Sequence, residues 1–247
     1  MTTDELPTNN QRLCRSQLWI GRNSARLGAN CNAVTRYYEQ LAAAYVRGTM
    51  PDEAFGKSDA ELFALGGRAG LRLHRFKRTM ELPRVRAALG VLRALNPRRL
   101  LDIGTGRGVF LWPLLDAFPD LDVTAVERDE HRRKHLEAVR RGGIERLHVV
   151  GADACKLPFE NGAFDVVTAL EVLEHQIDPA PLAREAMRLA SHFVIVSVPS
   201  KPDENPEHVH LFTGATLEAL LRQAGAVKVQ TDYVLNHIIA VARPDRS

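Results

Sequence analysis

Leu100-Leu101-Asp102-Ile103-Gly104-Thr105-Gly106-Arg107-Gly108-Val109-Phe110 is the stretch on which the reading of this chain turns. A short apolar run ends at a carboxylate and breaks into three glycines at every second position, and Leu111 to Phe118 continues in helix-forming residues. That order predicts strand, tight turn, helix. Glycine at 104, 106 and 108 lets the backbone take φ > 0 and admits a ligand where a Cβ would collide, with N–H groups of the next helix facing it. The dinucleotide fingerprint is G-x-G-x-x-G, with a pyrophosphate on the helix N-terminus. Here the pattern is Asp102-x-Gly104-x-Gly106-x-Gly108, and on these residues alone a purely structural turn or a nucleotide-binding loop stays open.

Downstream of the bend, apolar runs alternate with helical patterns, which predicts a mainly parallel sheet covered on both faces. Strands are expected at 100–103, 122–126, 147–151, 164–170, 193–198, 228–231 and 234–242, and helices at 129–141, 179–189 and 216–224. A turn around Asp232-Tyr233 would close the chain with a hairpin and an antiparallel strand.

Upstream, Met1 to Gln11 reads as a weakly ordered leader and Leu13 to Val46 as helical. Ser58-Asp59-Ala60-Glu61 has capping-box spacing and should open a short helix, Ala60 to Leu65, ended by Gly66-Gly67. Leu71 to Arg78 reads as a basic helix, with Arg68, Arg72 and Arg75 on one face and Leu71, Phe76 and Met80 turned toward a core. Pro83 fits the first turn of a helix from Arg84 to Leu95, which Asn96-Pro97 ends. The division expected is an N-terminal helical extension over 1–97, acting as a cap or substrate region, and a sheet domain over 98–247.

The 247 residues are 45% apolar and 26% charged, ordinary for a water-soluble globular protein. No apolar run approaches the ~20 residues that span a bilayer, and the polar start is not a secretory signal, so a cytoplasmic protein without membrane insertion is expected. Three scattered cysteines, Cys14, Cys31 and Cys155, argue against a disulfide framework. Residues 1–99 carry 17 Lys and Arg against 8 Asp and Glu, whereas 100–247 carry 16 against 22. The basic front half suits an anionic substrate or nucleic acid, or is a solvated helix face.

The D-x-G-x-G-x-G form of residues 102–108 resembles the first motif of class I S-adenosylmethionine-dependent methyltransferases, and further elements of that family's pattern follow in order. The resemblance implies a Rossmann-like α/β fold with a seven-stranded, mainly parallel sheet. Glu127, closing the second strand, is placed to accept both hydroxyls of a ribose. By resemblance, Asp153 would accept from the adenine amino group, the Ala154 N–H would meet a ring nitrogen, and Asp102 would meet the donor's ammonium. Three carboxylates at strand ends suit a cationic sulfonium compound and would repel a pyrophosphate, which favours S-adenosylmethionine over NAD.

Glu171, Glu174 and His175, in Ala169-Leu170-Glu171-Val172-Leu173-Glu174-His175, would project together from one helical turn. With His210 or His208 they could bind a divalent metal, Mg or Zn. Without metal, His175 could act as general base beside Glu171. This E-x-x-E-H stretch resembles the ubiquinone-pathway O-methyltransferases and the metal-dependent enzymes that methylate the terminal 2′-hydroxyl of small RNAs. The resemblance implies methyl transfer to a small-molecule acceptor at oxygen. An RNA ribose 2′-O-methyltransferase is the alternative, and a non-catalytic S-adenosylmethionine-binding scaffold a third.

Overall fold

The computed structural model describes residues 37–78, 82–202 and 204–246. The expected leader, most of the helix expected over Leu13 to Val46, Met80, Cys14 and Cys31 lie outside the described residues. Four α-helices precede the sheet, α1 (Glu39–Thr49), α2 (Pro51–Ala54), α3 (Asp59–Arg68) and α4 (Pro83–Leu95), with a 3-10 turn at Leu73–Phe76. Then come β1 (Arg99–Ile103), α5 (Leu111–Ala117), β2 (Asp122–Val126), α6 (Glu130–Arg141), β3 (Leu147–Val150), β4 (Phe164–Leu170), α7 (Ala180–Leu189), β5 (Ala190–Pro199), α8 (Gly214–Gln223), β6 (Ala226–Val234) and β7 (His237–Pro244). The strands form one seven-stranded sheet in the order β3-β2-β1-β4-β5-β7-β6. All neighbours pair in parallel except β7, which runs antiparallel to both β5 and β6.

Because most strands are buried on both faces, two cores form. On one face, residues of α1, α4, α5 and α6 pack on Leu100, Val123 and Val166; on the other, Leu182, Ala186, Leu217 and Leu221 of α7 and α8 pack on Leu101, Val167 and Val196. The strand order reverses between β1 and β4, where crossovers leave in opposite directions, so the crevice beyond their carboxyl ends is the place the fold offers a ligand.

Four expectations upstream and at the hairpin give way to tertiary contacts. Within the described part of the helix expected over Leu13 to Val46, Tyr37 and Tyr38 are not helical and α1 starts at Glu39, since Tyr38 N–H donates to the Phe76 carbonyl and Tyr37 bridges Lys77. The Ser58 capping box is present as read, but α3 runs through Gly66-Gly67 to Arg68. Gly66 is a packing residue and not a breaker, because a Cβ there would stand 2.6 Å from Val46 Cγ2. The basic helix from Leu71 shrinks to the 3-10 turn at 73–76, since Gly70 takes φ +70 and Lys77 is held extended against Tyr37. The hairpin turns at Leu235-Asn236, with Leu235 at φ +51, and Asp232 and Tyr233 lie inside β6 paired with Ile239 and Ile238.

α1 crosses α6 at backbone contact. A Cβ on Gly142 would lie 1.7 Å from the Ala44 carbonyl oxygen, and one on Gly48 would lie 1.8 Å from that of Ala138. A methyl that meets backbone cannot be absorbed by a rotamer change, and overpacking alone commonly costs 1–3 kcal/mol. Gly142→Ala is therefore expected to destabilise by about 3 kcal/mol or more, read as a lower urea midpoint; an unchanged midpoint would show that the helices do not meet there.

Candidate functional site

The bend after β1 is closed on itself. Gly104 and Thr105 N–H donate to the Val126 carbonyl at 3.0 and 3.3 Å, and Gly108 N–H donates to the Thr105 carbonyl at 3.0 Å. Gly106 N–H donates to Glu127 Oε2 at 2.8 Å. These amides are spent within the protein, which leaves the bend poor in donors for a pyrophosphate. The three glycines also differ in purpose. A Cβ on Gly104 would lie 2.6 Å from Val172 Cγ2 and one on Gly108 2.2 Å from the Trp112 ring, whereas on Gly106 the nearest atom would be 3.7 Å away. Gly104 and Gly108 let neighbouring elements close on the bend, and Gly106 is the one that stays bare.

Glu127 is 6% exposed. Besides Gly106 N–H on Oε2, its Oε1 accepts Asp129 N–H at 2.8 Å. Two amides thus fix the carboxylate plane. With roughly four lone-pair directions on a carboxylate, each oxygen keeps one for an incoming hydroxyl.

Asp102, 2% exposed, ends its strand between two hydroxyls: Thr168 Oγ1 donates to Oδ1 at 2.8 Å and Thr105 Oγ1 to Oδ2 at 2.9 Å. Burial pushes its carboxyl up to about 7 against the pull of those hydroxyls, and the Glu127 charge adds to the rise. The folded pKa lies above the unfolded value near 4, so this group's contribution to stability is full below about pH 4 and is lost as pH rises toward 7. A cation beside Asp102 favours the ionised form, and its binding must then release a proton. A positively charged ligand is accordingly expected to bind up to about tenfold more weakly for each pH unit below 7. Calorimetric titration across neutral pH reads that slope; a flat profile would mean that Asp102 does not meet the ligand's charge.

Asp153 follows β3 in an exposed turn and accepts Cys155 N–H on Oδ1 at 3.0 Å. Ala154, beside it, packs against the core on the α7 side. The chain beyond is clamped to α7: Leu157 N–H donates to Glu185 Oε1 at 2.6 Å, and Arg188 donates to the Leu157 and Phe159 carbonyls at 3.1 and 2.7 Å. Asp102, Glu127 and Asp153 therefore stand at the carboxyl ends of three adjacent strands, as the sequence pattern predicts.

The E-x-x-E-H run is divided rather than gathered. Glu171 takes φ +59, a left-handed conformation that is costly for a residue with a Cβ and often marks functional sites. Its Oε1 accepts Ser197 Oγ–H at 2.7 Å, and its Oε2 lies 3.0 Å from His237 Nε2, with Arg84 Nε 3.5 Å from Oε1. Glu171, Arg84, Asp102, Gly104 and Leu170 line a cavity of about 170 Å³ at the strand-order reversal. His175 points elsewhere: Nδ1 is 3.1 Å from the Glu207 carbonyl and the ring meets His208 edge-on at 4.7 Å. His210 Nε2 is 3.0 Å from the Ile177 carbonyl.

Among the described residues, the ligand atoms of Glu174, His175 and His208 come within 4.8 Å of one another, and neither Glu171 nor His210 joins that group. The loop after β5 explains the choice of histidine. Val209 and His210 N–H both donate to the Glu174 carbonyl, at 2.9 and 3.3 Å, which seats His208 beside His175 and carries His210 past it. Sequence reading missed His237, Ser197 and Arg84. His237 meets Glu171 across 66 positions, and the only local hint was its place at the start of the last strand, opposite Pro199.

Residues 73–231, more than half of the chain, match the family described as a methyltransferase domain. A ubiquinone biosynthesis O-methyltransferase of a Caulobacter species is 31% identical over 144 residues, 57% of this chain and 49% of that protein. A malonyl-acyl-carrier-protein O-methyltransferase of Legionella pneumophila is 32% identical over 99 residues, 38% of this chain and 33% of that protein. The chain thus spans a third to a half of the length of these relatives. Among solved structures, the N-terminal domain of EvdMO1 with SAH bound superimposes with a TM-score of 0.53 at 19% identity, over 66% of this chain and 81% of that one, which is a likeness of fold. A Rossmann-like seven-stranded sheet, a glycine bend with acids at three strand ends, and a match over most of this length agree: the chain belongs to the methyltransferase-domain family.

Proposed function

We propose that this chain transfers a methyl group from S-adenosylmethionine to an oxygen of a small-molecule acceptor. The observation that carries the reading is Glu127, a buried carboxylate pinned by two amides beside a glycine at which a Cβ would meet no atom closer than 3.7 Å. Its two remaining acceptor directions suit the adjacent hydroxyls of a ribose. In this reading Asp102 meets the donor's ammonium, Gly104, Gly106 and Gly108 shape the floor beneath its methionine part, and Asp153 with the Ala154 N–H reads the adenine. When bound, the donor supplies an electrophilic sulfonium methyl and leaves as a neutral thioether. The O-methyltransferase relatives and the SAH-bound neighbour support both halves of the reading.

The chain's own part in the chemistry falls to the Glu171–His237 pair. His237 takes the proton of the acceptor hydroxyl as the oxygen–carbon bond forms, and Glu171 orients the ring and stabilises the imidazolium. Ser197 fixes the other oxygen of Glu171. His175, placed as base by the sequence, belongs instead with Glu174 and His208 as the set that would hold a divalent ion. One carboxylate and two imidazoles suit zinc better than magnesium, which prefers an all-oxygen shell. With Nδ1 at the Glu207 carbonyl, His175 keeps its lone pair on Nε2, and an ion held by this set would supply Lewis-acid chemistry.

Among the described residues no helix is long and apolar enough to cross a membrane. A labelled methyl-transfer screen of metabolite and RNA pools tests the function. Label in an oxygen-methylated metabolite is expected; label in RNA alone would favour the alternative acceptor, and no transfer to any pool would leave only the scaffold reading.

A further inference from the structure

Arginines to which the donor reading gives no role converge on one side of the glycine bend. Arg72 and Arg75 from the 3-10 turn, Arg107 from the bend and Arg132 from the first turn of α6 line an open cleft of about 530 Å³, together with His74, His131 and Asp129. The expected face of Arg68, Arg72 and Arg75 is broken because residues 71–78 are not a helix; Arg68 stays in α3 and two arginines arrive from other elements.

Among the described residues Arg72, Arg75 and Arg107 form no ion pair, and the Arg132 guanidinium lies 3.9 Å from Glu127 Oε2, on a group already held by two amides. Arg75 is half-buried, with Nη1 2.9 Å from His135 Nδ1. Burial and the charges of Arg75, His131 and Arg72 hold His135 down to about 4, so the ring is neutral at pH 7 and accepts from the guanidinium. It orients Arg75 without neutralising it. Four guanidiniums against the carboxylate of Asp129 and, beside Arg132, that of Glu127 leave two positive charges in excess in a concave site. Crowding of that kind is unfavourable until an anion is shared between them.

We propose that this cleft binds a phosphoryl dianion, and that the dianion is the phosphate-monoester or pyrophosphate end of the acceptor, which makes the acceptor a phosphorylated small molecule. Guanidinium forks match phosphate oxygens in pairs. Forks that converge on a pocket suit a small polyanion, whereas a nucleic-acid backbone asks for a basic groove along the strand. Arg107 also lines the donor cavity with Gly106 and Glu171, so cleft and cavity share one wall. The identity of the acceptor rests on the methyl-transfer reading; the anion site itself does not.

The test titrates the wild type and the Arg72→Gln/Arg75→Gln double variant calorimetrically with inorganic pyrophosphate and, separately, with S-adenosylmethionine. Pyrophosphate is expected to bind the wild type and to lose at least about tenfold in affinity in the double variant, while donor affinity holds. Equal pyrophosphate affinity in the two proteins, or none in the wild type, overturns the site. Failure of the donor to bind the wild type would strike the methyl-transfer reading and leave the pyrophosphate result standing. Arg72→Gln alone, at an exposed position, serves if the double variant does not fold. A second arm treats a metabolite extract with alkaline phosphatase before labelled methyl transfer. Acceptance is expected to disappear; acceptance that survives, or that appears only with RNA or anionic vesicles, overturns the phosphorylated small-molecule assignment.

Discussion

Glu127→Ala is expected to weaken S-adenosylmethionine binding by at least about a hundredfold while the protein stays folded. Charge-assisted hydrogen bonds are worth about 1.5–3 kcal/mol each, and two ribose hydroxyls would lose theirs together. The variant also leaves Gly106 and Asp129 N–H without the acceptor that now holds them at 2.8 Å each. The bend would then sample conformations that do not bind, and a fractional competent population lowers apparent affinity further. Glu127→Gln is not a mild control. Its amide NH2 would face one of those two N–H groups donor to donor, so it too should bind weakly. Calorimetry with thermal unfolding in parallel checks the prediction, and unchanged affinity in the alanine variant would remove Glu127 from the donor site.

His237→Gln is expected to lower the rate of methyl transfer by about a hundredfold to ten-thousandfold, the usual worth of a general base, with little change in donor affinity. Glu171→Gln should fall in the same direction. Its amide can still accept from Ser197 but no longer stabilises an imidazolium, and combining the two changes should cost little more than either alone. A purely structural pair would behave otherwise: stability would drop while the pH dependence of the rate kept its shape. Retention of the acid limb of that profile in His237→Gln would show that the proton goes elsewhere.

What was legible in the sequence follows from range of interaction. The strands at 122–126 and 164–170 match the expected bounds, because a strand buried on both faces is a continuous apolar run that ends where the burial ends. Asp102, Glu127 and Asp153 were legible for a related reason, since a parallel sheet puts its ligand-facing residues at strand carboxyl ends, just past the apolar run. Gly66, Gly104 and Gly108 show the limit. Each looks like a local breaker or a ligand gap, and each is set by a side chain from another element: Val46, Val172 and Trp112. The Glu171–His237 pair depends on β7 lying antiparallel on β5, a pairing that no local spacing encodes. The E-x-x-E-H run misled in the same way, because helical spacing predicts a shared face only where a helix forms, and here only Leu173–His175 makes a 3-10 turn.

Three carboxylates at the donor site, Asp102, Glu127 and Asp153, favour a cation there over a pyrophosphate. Calorimetric titration of the wild-type protein with S-adenosylmethionine and with NAD compares the two directly. The arrangement of Asp102, Glu127 and Asp153 predicts one molar equivalent of S-adenosylmethionine bound and no displacement of it by NAD; NAD that binds as tightly as S-adenosylmethionine and in competition with it would contradict that arrangement.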